Sequence, residues 1–187
     1  MDKVRYDAPR GGDVKVLSAA TVFIVGSGAI LAVGSVGQTL YSKYDNPAVM
    51  LVPLVFLVTP VLLLFALRGE APTGYTLDDI GVHIERRAGA ATIPLSAIRE
   101  VRELPPQVSF IRIGGSGGWY GYYGEFKSRD LGQVTMYATR SDDRVLLATH
   151  GRNYVITPAS PAAFVADLES RLVALNYGAH LPAATDS

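Results

Sequence analysis

The chain has 187 residues, 49% of them hydrophobic and 18% charged, with three histidines and no cysteine. Seventeen basic residues balance seventeen acidic ones, so no global field draws the protein to nucleic acid. The absence of thiols excludes disulfides, thiol catalysis and thiolate metal sites.

Residues 1–15 carry Lys3, Arg5, Arg10 and Lys15, and residues 16–42 then contain no charge. After Lys43 and Asp45, residues 46–67 are again uncharged, and Arg68 ends the run. Each run reaches the roughly 20 residues a helix needs to cross the hydrocarbon core. The first is too long for a signal peptide, whose apolar part has roughly 7–15 residues. "VMLVPLVFLVTPVLLLFAL" is apolar all round, unlike a helix with a wet side. The expected anchor is a hairpin: transmembrane helices at 16–42 and 48–67 joined by an external loop at 43–47, with Asn46 as N-cap and Pro47 at the first helical position. Four basic residues before the first run, and Arg68, Arg86 and Arg87 after the second, outweigh the single Lys43 of the connection. Both termini are thereby assigned to the cytoplasm and 1–15 becomes a cytoplasmic lead-in. Thr21, Gly28, Ala32, Ser35 and Thr39 share a stripe where a second backbone could approach. Pro53 and Pro60 mark possible kinks of the second helix. Neither run contains an ionisable residue, which disfavours a transport path.

Beyond Arg68 the pattern alternates. "GYTLD", "GVHIERR", "ATIPL", "IREVREL", "VSFIRI", "QVTMYATR", "RVLLATH" and "NYVITP" read as strands between turn residues. Ser160 and Pro161 then open a helix with Phe164, Leu168, Leu172 and Leu175 on one face and Asp167, Glu169, Ser170 and Arg171 largely elsewhere. About seven strands and a capping helix over 73–177, followed by a tail at 178–187, suit a pleckstrin-homology-like split barrel, and also other small β folds.

"GWYGYYGEF", "LGQVTMYATR" and "DRVLLATHGRNYVITPASPAAFVADL" resemble the bacterial pleckstrin-homology (PH) domain family, in members with helices ahead of the domain. The resemblance covers about residues 75–172. It implies a seven-stranded split barrel capped by the helix, and it carries over neither a ligand nor catalytic residues.

The stretch "RIGGSGGWYGYYGEF", residues 112–126, holds six glycines and four rings on its central part. Gly118, Gly121 and Gly124 recur at every third residue, which is not dinucleotide-loop spacing, and Lys127-Ser128 does not complete a phosphate loop. The 114–124 stretch is expected to be a long β-to-β connection whose rings, Trp119, Tyr120, Tyr122 and Tyr123, either plug the barrel or touch membrane or partner. Arg86 and Arg87 fall on a turn where a lipid headgroup would be held, but interleaved Glu85, Glu100, Glu103 and Glu125 favour a solvated mixed surface. His83, His150 and His180 lack metal-ligand spacing. No nucleophile frame is present.

The function expected is a non-catalytic, membrane-anchored binding or scaffolding module on the cytoplasmic face of a bacterial inner membrane. It needs no cofactor or metal. Its expected partners are the bilayer, a protein partner or a second copy, with anionic lipid a further candidate and nucleic acid excluded. The rival is an accessory subunit of a transporter or envelope enzyme, assembled through the hairpin.

Overall fold

The computed structural model describes residues 2–44, 48 and 51–179. In chain order the elements are β1 (Val4–Asp7), α1 (Gly12–Tyr44), α2 (Leu51–Glu70), β2 (Pro72–Leu77), β3 (Gly81–Arg86), β4 (Ala91–Pro94), β5 (Ile98–Glu103), β6 (Ile111–Gly117), β7 (Tyr122–Ser128), β8 (Gly132–Ala138), β9 (Val145–Thr149), β10 (Asn153–Ile156) and α3 (Pro161–Ala179). A short 3-10 turn, Leu95–Ala97, links β4 to β5.

The strands form two sheets, ordered β1-β2-β3-β4 and β5-β9-β10-β8-β7-β6. All neighbours are antiparallel except β8 and β10. This is a mainly β domain with a C-terminal helix, as expected. It has ten strands among the described residues rather than about seven. One addition, β1, lies in the 1–15 segment expected as a lead-in. It pairs with β2 from Val4↔Leu77 to Asp7↔Gly74. Its residues alternate, with Val4 and Tyr6 half-buried and Arg5 and Asp7 exposed. Tyr6 meets the Phe164 ring edge-on at 5.1 Å and donates to Asp167 at 3.2 Å.

The whole helical pair α1–α2 is therefore an insertion between two neighbouring strands of one sheet. α1 is 33 residues long, with a mean hydropathy of 2.2 in its most apolar stretch. That is long and apolar enough to cross a membrane, and a helix of this length spans roughly 50 Å. It begins at Gly12 and runs through Tyr44, beyond both expected bounds of 16–42. α2 (Leu51–Glu70) takes in the second apolar run from 51 and continues three residues past the expected bound of 67, and it packs against α1, with Pro60 in its interior. Asn46 and Pro47, the expected cap of α2, lie outside the described residues.

The face that α1 covers is only partly the expected stripe, of which Thr21 is half-buried. Val25, Gly26, Val33 and Leu40 are half-buried and Gly37 is buried, whereas Gly28, Ser35 and Thr39 are exposed. The hydroxyls of Thr21, Ser35 and Thr39 donate to carbonyls four residues back in their own helix, so they need no partner across the hairpin.

The main core lies between the two sheets and α3, built from Tyr75, Leu77, Val82, Ile84, Val145, Leu147, Ile156, Phe164 and Leu168. A second cluster, with Leu104, Phe126, Val134, Met136, Leu146 and Val155, occupies the other face of the larger sheet. All five residues of β9 are buried as a result, because alternate side chains serve opposite clusters. On α3, Phe164 and Leu168 are fully buried and Leu172 packs at the margin, as the periodicity predicts. Two positions differ. Leu175 is 43% exposed, and Arg171, expected outside, is 4% exposed. Arg171 reaches Asp79 at 3.2 Å, Asp167 at 3.3 Å and the Asp2 carbonyl at 2.6 Å. A guanidinium with that many acceptors is tolerated at a buried position.

Leu168→Ala should lower stability by about 2–5 kcal/mol, read by chemical denaturation. An unchanged midpoint would show that the helix face is misassigned. A pH effect follows from Tyr75, whose hydroxyl donates to the Tyr137 carbonyl at 2.6 Å and accepts from the Thr157 N–H at 3.3 Å. Burial pushes its pKa up from 10.0 to about 12. The folded state thus holds this proton more tightly than the unfolded chain. That stability is complete below pH 10 and is lost as pH rises towards about 12, an effect of order 2–3 kcal/mol. Tyr75→Phe should flatten this alkaline limb in a pH series of melting temperatures.

Candidate functional site

The glycine-aromatic stretch folds as a hairpin. β6 runs on to Gly117 and β7 starts at Tyr122, leaving Gly118 to Gly121 as a four-residue turn closed by the Gly118 N–H on the Gly121 carbonyl at 3.1 Å. The long connection expected over 114–124 is therefore corrected to a tight turn between paired strands. Two glycines make this geometry possible. Gly118 has φ +122°, and a Cβ there would sit 2.9 Å from the Leu17 side chain of α1. Gly124 has φ +107°, and a Cβ would come within 2.5 Å of the Gly114 carbonyl across the hairpin. Any other residue would be strained at these φ values, and would crowd the Leu17 side chain at Gly118 and the paired backbone at Gly124.

The four rings separate into different roles. Tyr123 is 5% exposed and belongs to the interior. Tyr122 is half-buried and donates to Asp13 in the first turn of α1 at 2.8 Å. Burial, followed by the hydrogen bond to Asp13, pushes the Tyr122 pKa up to about 12. Tyr120 adopts a left-handed backbone with φ +57°, a conformation that costs an aromatic residue about 1–2 kcal/mol. Its N–H donates to the Ser18 hydroxyl at 2.9 Å. Its ring lies 5.9 Å from the guanidinium of Arg10 and 6.0 Å from that of Arg68. Cation–π contacts of about 0.5–2 kcal/mol each are of the size needed to hold that backbone. Trp119 is 37% exposed beside this cluster.

Arg10 precedes α1 and Arg68 lies in the last turn of α2, so one tyrosine reads the start and the end of the helical pair together. Further bonds tie the same corner. Pro9 accepts from the Thr139 hydroxyl at 2.6 Å, Gly11 donates to the Thr139 carbonyl at 3.1 Å, and Ala159 donates to the Asp7 carbonyl at 2.9 Å. At the end of α2, the Gly69 carbonyl accepts from Ala88 at 3.0 Å.

The two arginines considered for a headgroup part company. Arg86 forms an ion pair with Glu70, at the end of α2, and lies over the Tyr137 ring at 5.4 Å. Its work is to hold α2 to the barrel. Arg87 is exposed in the following turn. His83 is bonded through one ring nitrogen to Asp78 and through the other to Thr92, both at 2.9 Å. His150 is exposed in the β9–β10 turn, and His180 lies outside the described residues.

Sequence reasoning singled out the rings but missed Arg10, Asp13, Ser18 and Arg68, which receive them. Asp13 and Ser18 carry the available signal: polar residues at the head of an apolar helix, where hydrocarbon alone would not select them.

A mainly β domain of two sheets closed by a C-terminal helix, with a helical pair inserted ahead of its second strand, describes a PH-like module built onto a helical base. The family model described as "Bacterial PH domain" matches residues 73–172, and the chain belongs to that family. No curated protein and no solved structure matches it.

If the turn is fastened to α1 as described, Ser18→Ala should accelerate amide hydrogen exchange at Tyr120 by up to about tenfold and leave core amides such as Leu147 unchanged. Equal protection at Tyr120 in both proteins would show that the turn holds without α1.

Proposed function

We propose that the protein is a membrane-anchored PH-type binding module, held at the cytoplasmic face of a bacterial inner membrane by the helical hairpin α1–α2. The observation that carries this reading is the insertion of the hairpin between the paired strands β1 and β2, reinforced by the Gly118–Gly121 turn on α1. A domain attached at two covalent points and several hydrogen bonds keeps one attitude to its anchor, which suits a module that presents a fixed face to a partner. The apolar character of both runs supports the two crossings, and the basic excess at 3–15 and 68–87 over the single Lys43 supports the orientation. Trp119, exposed beside the root of α1, fits the headgroup layer. The function is binding or scaffolding, directed at a protein partner or a second copy of the chain.

Epitope tags at the N-terminus and after Ser187 should both resist protease in intact spheroplasts, while a tag inserted after Tyr44 is cleaved. Cleavage of the C-terminal tag would overturn the cytoplasmic placement.

A further inference from the structure

A cavity of about 570 Å³ lies over the second core cluster, beneath the connection between β5 and β6. Its wall includes the apolar side chains of Phe110, Phe126 and Met136 and the guanidinium-bearing Arg112, Arg140 and Arg144. No carboxylate lines it. The three guanidinium groups are not equally neutralised. Arg140 is near Asp143 at 3.3 Å and Asp142 at 3.9 Å, and it donates to the Pro158 carbonyl at 2.8 Å. Its buried Nε has no hydrogen-bond partner among the described residues. Arg144 donates to the Pro106 carbonyl at 3.1 Å and lies over the Phe110 ring at 5.0 Å. Arg112 donates to the Gly115 carbonyl at 3.4 Å. Neither Arg112 nor Arg144 has an acidic side chain within ion-pair distance among the described residues. Burial lowers the Arg144 pKa, the mark of a cation held with less water than it would take in the open.

Three cations sharing a cavity wall with apolar side chains suit a ligand with both characters. The volume is within the range of small-molecule sites. Its place narrows the choice. Tyr122 also lines the cavity, and its hydroxyl is the group bonded to Asp13 in the first turn of α1. The cavity thus adjoins the root of the helix that the proposed function puts in the membrane, where acidic lipid is the abundant amphiphilic anion.

We propose that this cavity binds an anionic amphiphile, a phosphate-bearing headgroup on an apolar chain, with Arg112 and Arg144 holding the phosphate and Phe110, Phe126 and Met136 covering the start of the chain. This rests on the reading of the protein as a membrane-anchored binding module and supplies that module with a ligand class. It assigns lipid contact to Arg112 and Arg144 in place of Arg86 and Arg87.

The test uses the full chain in neutral detergent micelles, with the unfolding midpoint followed during titration with dioctanoyl phosphatidylglycerol, dioctanoyl phosphatidylcholine or inorganic phosphate. Phosphatidylglycerol should raise the midpoint saturably, and the other two should not at matched concentrations. The double variant Arg112→Gln/Arg144→Gln should weaken the apparent affinity at least about tenfold, while Lys127→Gln, on an exposed position of β7, leaves it unchanged. Because Arg144 also supports the 104–110 connection, Arg112→Gln alone is included and should weaken binding severalfold. An equal response to phosphatidylcholine, an equal response to inorganic phosphate, or undiminished binding in both arginine variants would each overturn the proposal. The titration does not depend on topology, so its failure is separable from a failed tag-protection result.

Discussion

The pairing of β1 with β2 is the constraint on which the rest depends. Asp7 faces Gly74 in the ladder, so the chain must leave the sheet, traverse 64 residues of helix and connection between β1 and β2, and return to the same place. Two antiparallel helices satisfy that requirement directly, because a hairpin returns the chain to its starting level. Once the ends are paired, α1 must start and α2 must end against the barrel. Arg10 and Arg68 are consequently within reach of one tyrosine. The helical pair is not strung from the domain by a linker; it is one of the domain's own strand connections.

The chemistry of the corner follows from its position. Groups there are partly desolvated by the barrel and by the helices, so simple ion pairs contribute little unless their geometry is good. The structure combines arginine with aromatic faces, Arg10 and Arg68 with Tyr120 and Arg86 with Tyr137, and adds the ion pair of Arg86 with Glu70. Arginine stays charged under desolvation and stacks on rings, which lysine does less well. The left-handed Tyr120 and the positive φ of Gly118 are the local strain that this close approach requires, and the Tyr120 N–H to Ser18 bond offsets part of it.

The helices, most strands and α3 were legible because their signals are long-range in sequence: two uncharged runs, repeated alternation, and a 3.6-residue apolar stripe behind Ser160-Pro161. β1 was not, because four residues, VRYD, give only two alternations and their basic member doubles as a topology signal. β7 as a whole was not legible either, because Gly121 and Gly124 read as loop although here they serve close strand pairing. Arg171 was misplaced because periodicity sorts residues by polarity, and its acceptors, Asp79 and the Asp2 carbonyl, lie far away in the chain. The rings of the 112–126 stretch were found by composition alone. Their destination was not legible, since it depends on where the helical insertion re-enters the barrel.

The same logic separates attachment from recognition. Tyr120 and Tyr122 spend their polar and π-faced groups on Ser18, Arg10, Arg68 and Asp13, and Arg86 spends its charge on Glu70, so these residues, attractive as a contact surface in sequence, are committed to the helical pair. The face of the larger sheet opposite the main core is different. There β9 buries both sides, and a second apolar cluster forms without a helix to cover it. The β5–β6 connection covers it through Leu104 and Phe110. The cluster itself is buried, so the arginines beside it are not needed to close it, and three cations on a cavity lined by no carboxylate are poorly explained by stability alone. They are well explained if the cavity receives the anionic ligand proposed for it.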